Sequence, residues 1–201
     1  AEEKDGVFSV VLSGGSTASL VYSHLAKLKS VESICWERVH IFWADERCVS
    51  PEHEESNYLN IQRTFLNGVQ IPGENIHRIR GEEESSGESL RYEKEIIDHL
   101  MLRKDEEKLF DWVLLGLGSD GHTASLFSGQ ESLLDTQNLC AVVEHPDSGQ
   151  KRITLTPYAL NRSGSVTYHV IGSGKAAMVS ELISEDSDDK RFPAGYIEGE
   201  W

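Results

Sequence analysis

A chain of 201 residues with 38% hydrophobic content is long and apolar enough for one domain with a substantial core. Its formal net charge of −15 argues against nucleic acid and anionic membranes as partners, since both call for basic surface. No apolar run approaches membrane-spanning length and no signal peptide opens the chain. Cys35, Cys48 and Cys140 are odd in number and lack CxxC or zinc spacing. Reduced thiols in a cytoplasmic setting are therefore expected, with an organellar or endoplasmic-reticulum setting as the alternative.

Residues 7–12 (VFSVVL) read as a strand, followed at once by Ser13, Gly14, Gly15, Ser16 and Thr17. Residues 18–28 then show helical spacing, with Leu20, Val21, Leu25 and Leu28 on one side. A glycine–serine turn at a helix start can cradle an anion with its amides and hydroxyls. The glycines are not followed by a Walker lysine, so a nucleoside triphosphate is not expected; a plain serine-capped turn is the alternative. Residues 39–43 (VHIFW) form the next strand and run into Ala44, Asp45, Glu46 and Arg47. Charges placed there fall at the carboxyl edge of a parallel sheet, where binding residues collect. Arg47 offers a planar fork of donors to a phosphate or carboxylate, and Asp45 is a steering group or a direct substrate contact. The competing reading is a solvated charged loop. A helix is expected from Ser56 through Phe65, then a loop into a short strand over 71–79 and a solvated loop over 81–87. Residues 89–102 carry a helical stripe of Leu90, Ile96, Ile97 and Leu100, and 104–108 make a charged surface turn.

Residues 112–115 are a short apolar run suited to a strand buried on both faces, after which Gly116, Gly118 and Gly121 crowd together. Residues 122–127 read as the first turn of a helix with Asp120 as its N-cap, and His122 sits at the junction. Gly116-x-Gly118-x-x-Gly121 also satisfies the dinucleotide fingerprint, with Glu144 as its later acidic residue. That reading is disfavoured because the turn runs into Asp-Gly-His, which a pyrophosphate site does not need. Residues 139–143 and 152–155 look like strands, and 157–161 like a helical turn. Residues 165–171 give another strand, leading through Gly172, Ser173 and Gly174 to Lys175 and a helix over 176–183. Lys175 can reach an anion held by the other junctions. Residues 184–190 are acidic, and mobility is expected there.

Three strand–glycine–helix junctions fit one architecture over residues 1–201: α/β, with an open, mainly parallel sheet, helices on both faces and loops converging on one edge. The chemical inventory is an anion cradle, two cations and a histidine beside an aspartate. No metal-ligand cluster has workable spacing along the sequence, and no GxSxG elbow offers a nucleophilic serine. A histidine titrating near neutrality suits activation of water or proton movement on a sugar.

Five blocks carry a family resemblance: LSGGST at 12–17, FWADERCVSPEHEESNY at 42–58, LGLGSDGHTASLF at 115–127, RITLTPYALN at 152–161 and GSGKA at 172–176. They resemble the 6-phosphogluconolactonases, within the superfamily that also holds the glucosamine-6-phosphate isomerases and deaminases. The resemblance implies a Rossmann-like single domain that hydrolyses 6-phosphoglucono-δ-lactone in the pentose phosphate pathway, with no metal or cofactor. It implies His122 as the base that activates water. It also implies phosphate binding by Arg47, Lys175 and the Gly14, Gly15, Ser16 and Thr17 turn, with Asp45, Asp120 and Arg152 as orienters or substrate contacts. The opening strand and helix before LSGGST, the longer C-terminal run and a proline-rich loop before RITL are missing from the pattern. The expectation is a monomer, or a domain of a larger pentose-phosphate enzyme, lacking its first strand and helix and some C-terminal residues. An amino-sugar phosphate deaminase is the near rival, but its motif continues with a glutamate soon after the histidine, and Thr123 to Gly129 contains no acid. A non-catalytic sugar-phosphate-binding regulator is the distant rival; it would keep Arg47, Lys175 and the cradle without needing His122.

Overall fold

The computed structural model describes residues 6–101, 108–184 and 189–199. Its strands are β1 (Phe8–Leu12), β2 (Val39–Trp43), β3 (Asp45–Arg47), β4 (Ile76–His77), β5 (Trp112–Leu115), β6 (Cys140–Glu144), β7 (Lys151–Leu155) and β8 (Val166–Tyr168). Its α-helices are α1 (Ser16–Leu25), α2 (Asn57–Thr64), α3 (Ser85–Met101), α4 (Pro157–Asn161) and α5 (Ala176–Ile183). The apolar runs pair in parallel in the order β4-β2-β1-β5-β8, flanked by helices. β1 lies at the centre, with Leu12 beside Trp43 of β2 and Val11 beside Val113 of β5. Val11, Ile41, Phe42, Trp43, Val113 and Leu115 are fully buried, as expected of strands covered on both faces. The chain adds β2 and β4 on one side of β1, then crosses to β5 and β8 on the other. The loops after β1 and β5 therefore part at a topological switch point, which opens a crevice at the carboxyl ends of the strands.

β3, β6 and β7 are not part of that sheet. They form a small antiparallel sheet in the order β3-β7-β6. Ala44 makes the transition: its N–H donates to the Leu12 carbonyl at 2.9 Å and its carbonyl accepts from Leu155 N–H at 2.7 Å. The charged run after β2 is thus a strand rather than a solvated loop, with Asp45 and Glu46 only 5% and 2% exposed.

Two helices bury only part of their expected apolar stripes: Val21 and Leu25 of α1 and Ile96 of α3 pack on the core, and the rest of the inward face differs. α1 buries Ala18 and Tyr22, while Leu20 and Leu28 are exposed. Tyr22 is drawn in by its hydroxyl, which donates to the Ser13 carbonyl and accepts from the Ser13 N–H. α3 begins at Ser85, so the end of the acidic segment is helical, and it exposes Leu90 and Ile97 while burying Glu88, Ser89, Tyr92, Ile96 and His99. The Tyr92 hydroxyl bridges the Trp43 backbone, and Glu93 accepts from Leu139 and Cys140 N–H of the small sheet. Such buried, satisfied polar partners fix the rotation of the helix against its hydrophobic spacing. Most of the expected 104–108 turn, the side chain of Leu100 and residues 185–188 of the acidic segment lie outside the described residues. The three cysteines are free, and no helix of the described residues is long and apolar enough to cross a membrane.

Candidate active site

The crevice at the switch point is a cleft of about 240 Å³. Gly14, Gly15, Ser16 and Thr17 line it from the start of α1, Asp45 and Arg47 from β3, His122 from the loop after β5, Arg152 from β7 and Lys175 from the turn before α5. Nine of the ten residues singled out in the sequence therefore meet at one place, and the tenth, Asp120, holds one of them.

His122 does not open a helix. Residues 122–127 make a turn closed by a bridge between Thr123 and Leu126, and Ala124 takes φ 47, a left-handed conformation that interrupts helical backbone. Asp120 is accordingly not an N-cap; its Oδ1 lies 2.6 Å from His122 Nδ1. A carboxylate only accepts, so the imidazole proton sits on Nδ1 and Nε2 keeps its lone pair. Desolvation raises the Asp120 carboxyl, but the charge and hydrogen bonds of His122 outweigh it and hold it below its ordinary range. Gly118 makes this pairing sterically possible, since a Cβ there would stand 2.2 Å from His122 Nδ1 and 2.4 Å from Asp120 Oδ1. The His122 ring also packs on Phe127, with centroids 5.1 Å apart.

The cationic side is built by strand register. Arg47 and Arg152 are direct partners in the β3–β7 pairing. Arg47 donates to the Glu55 carbonyl at 2.5 Å, and Arg152 reaches Gln150 at 3.4 Å and lies over the Phe127 ring. Both Nε atoms are buried with no hydrogen-bond partner among the described residues. Burial, then the like charge of Arg47, pulls the Arg152 guanidinium below its usual range. Two adjacent guanidiniums with unfilled donors are costly alone and favourable around an anion. The start of α1 adds to this, because no side chain caps it and its first amides remain available at the positive end of the helix.

Four further residues of this region, Asn57, Ser125, Glu46 and His169, are not assigned a role from the sequence. Asn57 donates to the Asp45 carbonyl and carboxylate, and Ser125 donates to Asp45 Oδ2 at 2.6 Å, so Asp45 is held from two loops. A Cβ on Gly14 would strike the Asn57 side chain at 1.9 Å, so glycine is needed for that approach. Glu46 accepts from Ser56 Oγ and from the N–H groups of Arg47, Asn57 and Tyr58, anchoring the start of α2; burial pushes its carboxyl up to about 7 against those amides. His169 lines the cleft just past β8, with both ring nitrogens buried and without a hydrogen-bond partner among the described residues, and burial lowers its pKa. A polar residue just past the carboxyl end of a parallel strand is the signal that could have found it.

Fold and site together define an α/β protein with an arginine-lined cleft at its switch point and an aspartate-held imidazole on the wall of that cleft. The chain belongs to the glucosamine-6-phosphate isomerase/6-phosphogluconolactonase family, whose sequence profile matches residues 1–200. It is 41% identical over 188 residues to a 6-phosphogluconolactonase of Aggregatibacter actinomycetemcomitans, covering 94% of this chain and 78% of that protein. A 6-phosphogluconolactonase of Haemophilus influenzae matches with the same identity and coverage. The crystal structure of 6-phosphogluconolactonase from Thermotoga maritima superposes with a TM-score of 0.83 at 33% identity, covering 98% of this chain and 83% of that one.

Proposed function

We propose that this chain hydrolyses 6-phosphoglucono-δ-lactone to 6-phosphogluconate, with His122 as the general base. The observation that carries the reading is the cleft itself: an imidazole with its Nδ1 tied to Asp120 shares one cavity with two arginines whose Nε donors find no partner among the described residues. In this reading the substrate phosphate lies on Arg47, Arg152, Lys175 and the α1 amides. His122 Nε2 takes a proton from water as the water oxygen bonds to the lactone carbonyl carbon. The tetrahedral adduct collapses by breaking the bond to the ring oxygen, which takes the proton back from the imidazolium. Asp45, held by Asn57 and Ser125, serves as an orienting contact for the sugar. Because lactones are activated esters, one base and a few fixed donors suffice, and binding energy from the remote phosphate positions the carbonyl. The absence of an acid between Thr123 and Gly129 disfavours deaminase chemistry.

The test is turnover of freshly generated 6-phosphoglucono-δ-lactone by the parent and by His122→Ala. A fall of about 10²–10⁴-fold is expected for loss of a general base. Equal turnover in the two proteins would remove His122 from the role and make Asp45 the next candidate. A parent that never exceeds the spontaneous rate, while still binding 6-phosphogluconate, would overturn the enzyme reading in favour of a sugar-phosphate-binding regulator.

A further inference from the structure

Away from the cleft, β2, β4 and α3 bring three imidazoles together. His40, His77 and His99 each place one ring nitrogen within 4.8 Å of the other two. Spacing along the sequence concealed this group, because its members come from three separate elements. His40 Nδ1 lies 2.8 Å from His77 Nε2, and His77 Nδ1 lies 2.7 Å from Glu95 Oε1. Since the carboxylate only accepts, His77 carries its proton on Nδ1 and turns the lone pair of Nε2 toward His40. Arg91 holds Glu95 in turn. Phe42 forms an apolar wall, stacked on His77 with centroids 4.3 Å apart, and the His40 ring lies 4.5 Å from that of His99.

We propose that His40, His77 and His99 bind one divalent transition-metal ion of the Zn²⁺ class, with Glu95 as the outer carboxylate that orients His77. Imidazole is the nitrogen donor such ions select, and three of them leave one position for water. A carboxylate on the far nitrogen of a ligating histidine is the usual second contact, fixing tautomer and ring orientation. Nitrogens bound to a tetrahedral ion at about 2.0–2.1 Å stand roughly 3.4 Å apart, so side-chain rotations of about 1 Å close the shell. The ion takes the place of the proton shared by His40 and His77. His40 and His77 are only partly buried, which gives an entry path, and the net charge of −15 enriches cations at the surface. His40 lies near the start of β2 and Asp45 beyond its end, roughly 15 Å apart at the rise of a strand. The ion is therefore a clip that ties edge strand β4 and helix α3 to β2, separate from the lactone-binding cleft.

The experiment is equilibrium dialysis of the chelator-treated full chain against Zn²⁺, with Co²⁺ in parallel for its visible spectrum. One equivalent of bound metal and a tetrahedral-type Co²⁺ spectrum are expected. Binding is lost in His40→Gln, weakened about 10–100-fold in Glu95→Gln, and unchanged in His122→Ala, with lactone turnover of His40→Gln equal to that of the parent. Glu95 lies outside the ligand set, so its variant keeps the test decisive if a histidine variant folds poorly. No metal retained by the parent, unchanged affinity in both His40→Gln and Glu95→Gln, or loss of binding in His122→Ala would each overturn the proposal and leave the cluster as a packed, hydrogen-bonded stack.

Discussion

Four arginines sort into two pairs, and the contrast shows which part of the molecule is built to hold something. Along the β4–α3 edge, Arg78 grips both carboxylate oxygens of Glu82, and all three nitrogens of Arg91 donate, to Glu88, Glu95 and the Arg78 carbonyl. Hydrogen bonds donated to Glu82 and Glu88 raise the pKa of Arg78 and Arg91 respectively. Across the sheet, Arg47 and Arg152 are fixed side by side by strand register, and each keeps a buried Nε unfilled among the described residues. The first pair spends its charge on the fold. The second is held in readiness at the switch point, beside the uncapped start of α1 and the His122–Asp120 pair.

The contrast is broken most strongly by removing both cleft arginines. A hydrogen bond to a charged group contributes about 1.5–3 kcal/mol, so Arg47→Met or Arg152→Met alone should raise KM for the phosphorylated lactone by roughly 10–100-fold, and the double variant further, with far smaller changes in kcat. Steady-state kinetics on the three variants would check this. Asp120→Asn comes next: it leaves the cleft arginines in place but loosens the His122 ring, and because Asp120 is well exposed, a drop of roughly tenfold in kcat at constant KM is expected. Arg91→Met should do the reverse. Glu88 is buried and loses its partner, so a loss of about 1–3 kcal/mol is expected in urea unfolding, with KM unchanged.

The smallest effect concerns pH. Burial raises the Glu46 carboxyl from 4.5 to about 7, so the folded state binds its proton more tightly than the unfolded chain. That contribution is fully present below about pH 4.5 and is lost as pH rises through about 7. Glu46→Gln should therefore flatten the decline in urea midpoint between pH 5 and pH 8; an unchanged slope would show that the three amides and Ser56 outweigh burial.

The parallel sheet was legible because a strand covered on both faces is nearly continuously apolar, and β1, β2 and β5 are short runs of that kind broken only by Ser9 and His40. The convergence of most of the candidate site was legible for a related reason: glycines, cations and a histidine immediately after such strands have one edge on which to collect. What stayed hidden was set by contacts distant in sequence. That Asp45, Glu46 and Arg47 form a strand shows only once β7 pairs with them, and Asp120 looks like a helix cap until Ala124 turns the chain away. Leu20 of α1 and Leu90 of α3 point outward, while Tyr22 and Tyr92 turn inward to backbone partners. His169 and the His40–His77–His99 group lie in stretches that read as ordinary strand and helix.

The most direct test of the central claim is selectivity for the phosphate. Parent, Arg47→Met and Arg152→Met would each be assayed on 6-phosphoglucono-δ-lactone and on the same lactone without its phosphate. The parent should prefer the phosphorylated substrate strongly in kcat/KM, and each arginine variant should lose most of that preference while handling the unphosphorylated lactone as the parent does. A preference that survives both substitutions would contradict the claim and place the phosphate somewhere other than between the two open arginines.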